Sequence, residues 1–251
     1  MARKFNAVWQ KKARCLGVLT IFKHALEEFH MGKIGILCAC EKELRPFIPD
    51  IVQKAVSKYA MHTFYSGKIK GIDIVAVYSG CGKINAAITA QQMIDRYSVD
   101  TILLSGIAGG LSSGANIFDT VVCTASEFRD TDVEIYSDFP VLGSPVFPAD
   151  SRMIDLACQT AATVDWPIHF GLTTTGDIFT DRISPTAVCI DMETAAVAHV
   201  CHMNNVPFLA IRTISDNSVE NGQDVITRNF DRAAHLSYRF IIEMLSSGRM
   251  M

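Results

Sequence analysis

The chain has 251 residues, 49% of them hydrophobic and 20% charged, with a formal net charge of -3. That length and apolar content fill a sizeable core, and without a basic block after residue 30 there is no nucleic-acid surface, so the expected partners are small molecules. No apolar run reaches the roughly 18 residues of a membrane span, and the eight cysteines are scattered with no C-x-x-C pair, the pattern of reduced, buried thiols in a cytoplasmic protein rather than of disulfides or a zinc site.

Residues 1–30 stand apart, with six Lys/Arg against two Glu, a local charge of +4. Their apolar run CLGVLTIF resembles the core of a signal peptide but is followed by KHALEEFH instead of a small-residue cleavage site. Export is therefore the weaker alternative, and the segment reads as a non-catalytic basic extension ahead of one domain over 31–251.

From Lys33 onward short β-rich runs alternate with helical ones. KIGILCAC reads as a buried strand and EKELRPFIPDIVQKAV as a helix interrupted by Pro46 and Pro49. MHTFYSGKIKGIDIVAVYSG reads as two strands around a Lys-Gly turn, and GKINAAITAQQMIDRYS as an amphipathic helix with apolar positions 84, 87, 88 and 93. TILLSGIAGG is a strand ending in a glycine loop, and DTVVCTASEF another strand. A helix over DSRMIDLACQTAATV, strands IHFGLTTTG and TAVCID, a helix METAAVAHVCHMNN, a strand PFLAIRTISD and a closing helix FDRAAHLSYRFIIEMLSS complete the chain. The alternation predicts an α/β fold: a single-domain, three-layer arrangement with a central mixed β-sheet flanked by helices.

In open α/β sheets ligands collect beyond the carboxyl ends of strands. Here those ends carry Glu43, the glycine stretches YSGCGK and SGIAGG, TTTGDIF, DMET and RTISDN. Glycines let backbone donors approach a ligand, and Glu43, Glu193 and Asp216 supply proton transfer and hydroxyl recognition. Each acid also has an ordinary explanation: Glu43 as a first-turn acid, Asp191 as a helix cap with Glu193 in the first turn, Asp216 as a turn residue. Three acids from distant parts of the chain on one edge favour a polar-ligand site.

Rival motifs fail on context. GLSSG matches a nucleophile elbow centred on Ser112, but a strand rather than a helix follows. SGCGKI lacks the upstream glycine and the Ser/Thr of a phosphate loop, and GIAGG is not a dinucleotide fingerprint. His199 and His202 share a helix face, but no carboxylate completes a metal set.

Taken together, KIGIL, EKEL, SGCGKINAA, SGIAGGL, FRDTDV, TTGDIF, DMETAAVAHVCHMNNVPF and IRTISD resemble, in order, the motifs of the purine nucleoside phosphorylase and nucleosidase superfamily, most closely its nucleosidases for adenosine thioethers. The resemblance runs from about Lys33 to Ser247. It implies hydrolysis of the N-glycosidic bond of S-adenosylhomocysteine or 5'-methylthioadenosine, with no cofactor and no metal, by a homodimer in which the region of Val133 reaches the partner's site. Asp216 is implied to protonate the leaving adenine and Glu43 to take a proton from water. Glu193 is implied to bind the ribose 2'- and 3'-hydroxyls, and Met192 to pack on the sugar. Phe179 is implied to stack on the base, with Thr180 at its edge, and Arg212 to shape the site. Ile107, Ala108, Gly109 and Ser215 are implied to line the substrate, with Cys81 in the pocket for the 5' group.

Apolar Ile107 stands where phosphorolytic relatives hold phosphate, which favours water as nucleophile. Two departures from the family pattern remain: only RISPT follows GDIFTD, and no aromatic clearly closes over the 5' group, Phe230 being the substitute. The alternatives are another purine nucleoside hydrolase or phosphorylase, or a nucleoside-binding protein of reduced activity.

Overall fold

The alternation of apolar residues along each strand divides the molecule into layers. In the computed structural model, which describes residues 32–111, 115–131, 145–177, 186–217 and 222–247, strand β1 (Ile34–Cys38) sends Ile34, Ile36 and Cys38 to one face and Leu37 to the other. Strand β4 (Ile72–Tyr78) does the same with Ile74 and Ala76 against Val75 and Val77, as period-2 side-chain geometry requires. One face is covered by α2 (Lys83–Tyr97) and α4 (Thr194–Asn204); the other by α3 (Ser151–Ala161), α5 (Gly222–Ser247) and the short α1 (Glu41–Leu44). The three-layer α/β architecture expected from the sequence is the one observed.

Between the helices lies a mixed sheet that closes on itself. It contains β2 (Val52–Tyr59), β3 (His62–Ile69), β5 (Thr101–Gly110), β6 (Thr120–Phe128), β7 (Val146–Pro148), β8 (Ile168–Thr175), β9 (Ala187–Asp191) and β10 (Phe208–Asn217) besides β1 and β4. The order is β10-β6-β8-β9-β5-β1-β4-β3-β2, and β10 also pairs with β5, so that β10, β6, β8, β9 and β5 form a ring. β5 makes this possible by changing neighbours. Its first half, Thr101 to Ser105, runs parallel to β1, and Gly109 and Gly110 pair antiparallel with Ile190 and Cys189 of β9. The crevice beside β5, where its pairing passes from β1 to the end of β9, is a switch point in the sheet, the place such folds offer a ligand.

Three expectations need correction. SGIAGG is not a loop: β5 continues through Gly110, because Cβ atoms on Gly109 and Gly110 would lie 2.9 Å from Ile190 and Ile214 of the strands on either side. The helix expected over 41–56 ends at Leu44 and gives way to a 3₁₀ turn, Arg45–Asp50, bearing both prolines; Val52 then opens β2, an exposed edge strand on which Lys54 and Lys58 discourage pairing with another chain. On α2 the buried positions are Ala86, Thr89, Ala90 and Met93, whereas Ile84 and Ile88 face outward. Small residues let α2 lie close on the sheet, where Met93 fills the space above Gly35.

Candidate active site

Arg212 of β10 is the centre of the crevice. It is fully buried, and each of its three nitrogens is committed. Nε lies 3.0 Å from Asp191 Oδ2 and donates to Thr194 Oγ1 at 3.2 Å; Nη1 donates to the Ile107 carbonyl at 3.3 Å; Nη2 donates to Glu193 Oε2 at 3.2 Å. Burial opposes the guanidinium charge, but Asp191, Glu193 and Glu43 together hold it firmly protonated.

The two carboxylates of DMET have separate tasks. Asp191, the last residue of β9, accepts from the backbone N–H groups of Glu193 at 3.2 Å and Thr194 at 3.1 Å, from the Thr194 hydroxyl, and from Thr175 Oγ1 at 2.6 Å. It thereby satisfies donors at the start of α4 and anchors Arg212. Glu193 is freed from capping: Oε1 accepts the Gly82 N–H at 2.9 Å and Oε2 meets Arg212. Burial pushes Glu193 up from its ordinary 4.5 to about 7, Arg212 opposing and Asp191 adding to the rise.

Glu43 arrives from α1. Its carboxylate turns back over β1 and β5, with Oε2 accepting from Ala39 N–H at 2.8 Å and Cys40 N–H at 3.2 Å, and Oε1 from Ile107 N–H at 2.8 Å. Burial raises its pKa against the pull of Arg212 and these N–H donors. A Cβ on Gly106 would collide with both Glu43 Oε1 and Arg212 Nη1, so a glycine at this position in β5 is what lets the acid and the base approach.

Asp216 is aimed by a bulge. The pairing of β10 with β5 slips between Ile214 and Asp216, leaving Ser215 as the extra residue and placing Asp216 opposite Gly109. Asp216 Oδ1 accepts from Ser215 Oγ at 2.6 Å, and Asp216 Oδ2 lies 3.4 Å from where a Gly109 Cβ would be. Burial raises its pKa, with the Ser215 hydroxyl pulling the other way.

The structure thus brings Glu43, Glu193, Arg212, Ser215 and Asp216 together along Ile107, Ala108 and Gly109 of β5. Met192 is half-buried between Asp191 and Glu193, and Cys81 sits exposed in the glycine loop ahead of α2, near enough for Glu193 and Glu43 to reinforce the burial that raises its thiol pKa. Phe230 of α5 faces Lys42 of α1, whose ammonium stands 5.3 Å from its ring. Phe179, Thr180, Ser112, Val133 and residues 182–185 of the RISPT segment lie outside the described residues. His199 and His202 are an aromatic pair: His199 stacks on Phe147 at 5.0 Å and His202 meets the same ring edge-on.

Sequence reasoning missed a charged cluster beside the glycine loop. Lys83 Nζ reaches both oxygens of Asp130, at 2.7 and 2.8 Å, and stands 3.5 Å from Asp177. The lysine of SGCGK was the available signal, but its partners lie 47 and 94 residues away.

Comparison with known proteins agrees with this geometry. The Phosphorylase superfamily model matches residues 33–246, and the chain belongs to that superfamily. Within it, three similar proteins share one name. A 5'-methylthioadenosine/S-adenosylhomocysteine nucleosidase of Anoxybacillus flavithermus is 35% identical over 196 residues, 73% of this chain and 84% of its own. That of Maridesulfovibrio salexigens is 31% identical over 228 residues, 85% of this chain and 98% of its own. The crystal structure of the Colwellia psychrerythraea nucleosidase in complex with adenine superposes with a TM-score of 0.81 at 27% identity, covering 87% of this chain and 96% of that one. The resemblance read from the motifs is borne out.

Proposed function

We propose that this chain is a nucleosidase that hydrolyses the N-glycosidic bond of 5'-methylthioadenosine, S-adenosylhomocysteine or both, releasing adenine and the thio-ribose. The observation that carries the reading is the gathering of Glu43, Glu193 and Asp216, from three separate elements, along the glycine-rich end of β5.

Cleavage builds positive charge on the ribosyl ring and negative charge on the departing base. Asp216, whose pKa burial raises above the ordinary carboxylate value, is the acid that delivers a proton to N7 of adenine. Glu43, also raised, takes the proton of an attacking water, a division of labour like that of other glycosidases. Glu193 accepts the 2'- and 3'-hydroxyls, Met192 packs on the sugar, and Phe179 and Thr180 hold the base. Ile107, Ala108, Gly109 and Ser215 line the substrate, while Cys81 and Phe230 border the 5' group. Water rather than phosphate is the nucleophile in this reading, because apolar Ile107 stands where phosphorolytic relatives hold phosphate, and Arg212 is tied to Asp191, Glu193 and the Ile107 carbonyl.

No metal or cofactor enters this reading. Residues 1–30 fall ahead of the matched region and are assigned no part in it, and the free, buried thiols of Cys38, Cys123, Cys189 and Cys201 suit a reducing cytoplasm. The working form is a homodimer.

The test is base release from S-adenosylhomocysteine, methylthioadenosine and inosine, with and without phosphate, by wild type and Asp216→Asn. Adenine release that ignores phosphate and falls by about 10² to 10⁴ in the variant is expected, the usual contribution of a positioned proton donor. A requirement for phosphate makes the protein a phosphorylase, and nucleoside binding without turnover makes it a binding protein.

A further inference from the structure

The lysine of SGCGK takes no direct part in breaking the bond, yet it is the most heavily tied side chain at the rim of the site. Lys83 opens α2. Its ammonium binds both oxygens of Asp130 and approaches Asp177 Oδ2, while its backbone N–H donates to Asp177 Oδ1 at 3.0 Å. The Asp177 N–H closes the cluster on Asp130 Oδ2 at 3.0 Å. One ammonium and two carboxylates thereby bind together the start of α2, the chain after β6 and the chain after β8. Lys83 is only 23% exposed and Asp130 12%, so solvent screens the pair less than an ordinary surface bridge.

The neighbouring donor is the one that touches the site. Gly82 N–H holds Glu193 Oε1, and Gly82 and Gly80 have φ values of +94° and +86°, conformations that favour glycine and leave the loop without β-carbons at those positions. Behind the loop, Ser79 is hydrogen-bonded to β1. Ahead of it there are two fixed points: Asn85 Nδ2 donates to the Cys81 carbonyl, the oxygen of the peptide unit that carries the Gly82 N–H, and Lys83 ties the next residue to Asp130 and Asp177. Glu193 therefore has two anchors, Arg212 on one oxygen and the Gly82 N–H on the other. With only the first, its carboxylate is free to turn about that contact.

We infer that Lys83 is a positioning residue for ribose recognition: clamped by Asp130 and Asp177, it fixes the Gly82 N–H on Glu193 and so aims that carboxylate at the sugar hydroxyls. This rests on the nucleosidase reading. A bridge that merely stabilised the fold would, when broken, weaken every nucleoside alike. A positioning residue, when lost, removes the preference for hydroxyl-bearing sugars and leaves the rest of the binding energy in place.

The experiment measures the affinity of methylthioadenosine and its 2'-deoxy counterpart by calorimetry in the Asp216→Asn background, where bound nucleoside persists, with Lys83 intact, with Lys83→Met and with Lys83→Arg. With Lys83 intact the ribose form binds about tenfold or more tightly, the scale of a hydrogen bond to a charged group. Lys83→Met brings the two within about threefold by weakening the ribose form, and Lys83→Arg recovers part of the preference. If Lys83→Met does not fold, as judged by thermal unfolding, Asp130→Asn carries the same comparison.

Equal weakening of both nucleosides, or no change in either, overturns the role of Lys83. Adenine release by the wild-type protein is scored separately. Its absence sinks the nucleosidase reading while the binding ratio still decides the positioning role, and failure of both nucleosides to bind sinks the two together.

Discussion

Arg212 has more carboxylate around it than one guanidinium neutralises. Asp191 and Glu193 are in contact with it, and Glu43 shares the space beside Gly106. Glu193 is the acid that yields, held near 7 by burial and by its neighbours' charge. An acid whose pKa is higher in the folded state than in the unfolded chain binds a proton on folding, so it favours the native state at low pH and loses that advantage as pH rises through the folded pKa. For Glu193 the window runs from about 4.5 to about 7, and Glu43 and Asp216, both raised, act in the same direction. Asp130 and Asp150, both lowered, act in the opposite sense under more acidic conditions, and His199, lowered by burial and by His202, is a single opposing group in the imidazole range. The protein should therefore melt at a lower temperature at pH 8 than at pH 5. Glu193→Gln should gain on wild type by on the order of 2 kcal/mol across that interval. Thermal unfolding of both proteins at the two pH values checks this, and parallel curves would count against it.

Among the elements, β5 carries the site, and its glycines show how much of it could be read in advance. The acids of EKEL, DMET and RTISD were legible because each falls at a strand end within a dense local motif. The reason for Gly106 was not, because it lies in contacts from residues 43 and 212 that converge only once the ring of strands has closed. Gly106→Ala should place a methyl against Glu43 and Arg212, costing about 1–3 kcal/mol as other overpacking does and lowering adenine release more than tenfold by displacing Glu43, the group proposed above to activate water. Melting temperature and initial rate measure the two effects, and wild-type turnover in the alanine variant would show that the close approach has no catalytic consequence. The helices were harder to read. The pattern of α2 drew attention to its isoleucines, but packing against the sheet chose Ala86 and Ala90, where a helix can come close. The strand β2 was missed because VQKAVSKY has no buried face to set a period, being exposed along its whole length.

At the scale of the molecule, the misread face of α2 has its own meaning. Ile84 is 73% exposed and Ile88 49%, four residues apart and hence on one side of the helix. A single exposed isoleucine is unremarkable, but two in register at the start of a helix form the centre of an interface better than a solvated surface. The same first turn carries Lys83 and follows the loop whose Gly82 N–H holds Glu193, so a subunit docked on this face would steady the end of the site proposed above to bind ribose. In the homodimer proposed above, assembly and catalysis would then be coupled through α2. The protein should sediment as a dimer, and the double variant Ile84→Glu, Ile88→Glu should sediment as a folded monomer. Two charges at the centre of an apolar contact are expected to weaken association by about 3 kcal/mol or more, over a hundredfold in dissociation constant. In the monomer KM for the thioether nucleoside should rise by several fold while the circular dichroism stays native. A wild-type protein that is monomeric at micromolar concentration, or a double variant that still dimerises, would remove α2 from the interface and leave Ile84 and Ile88 without an assigned partner.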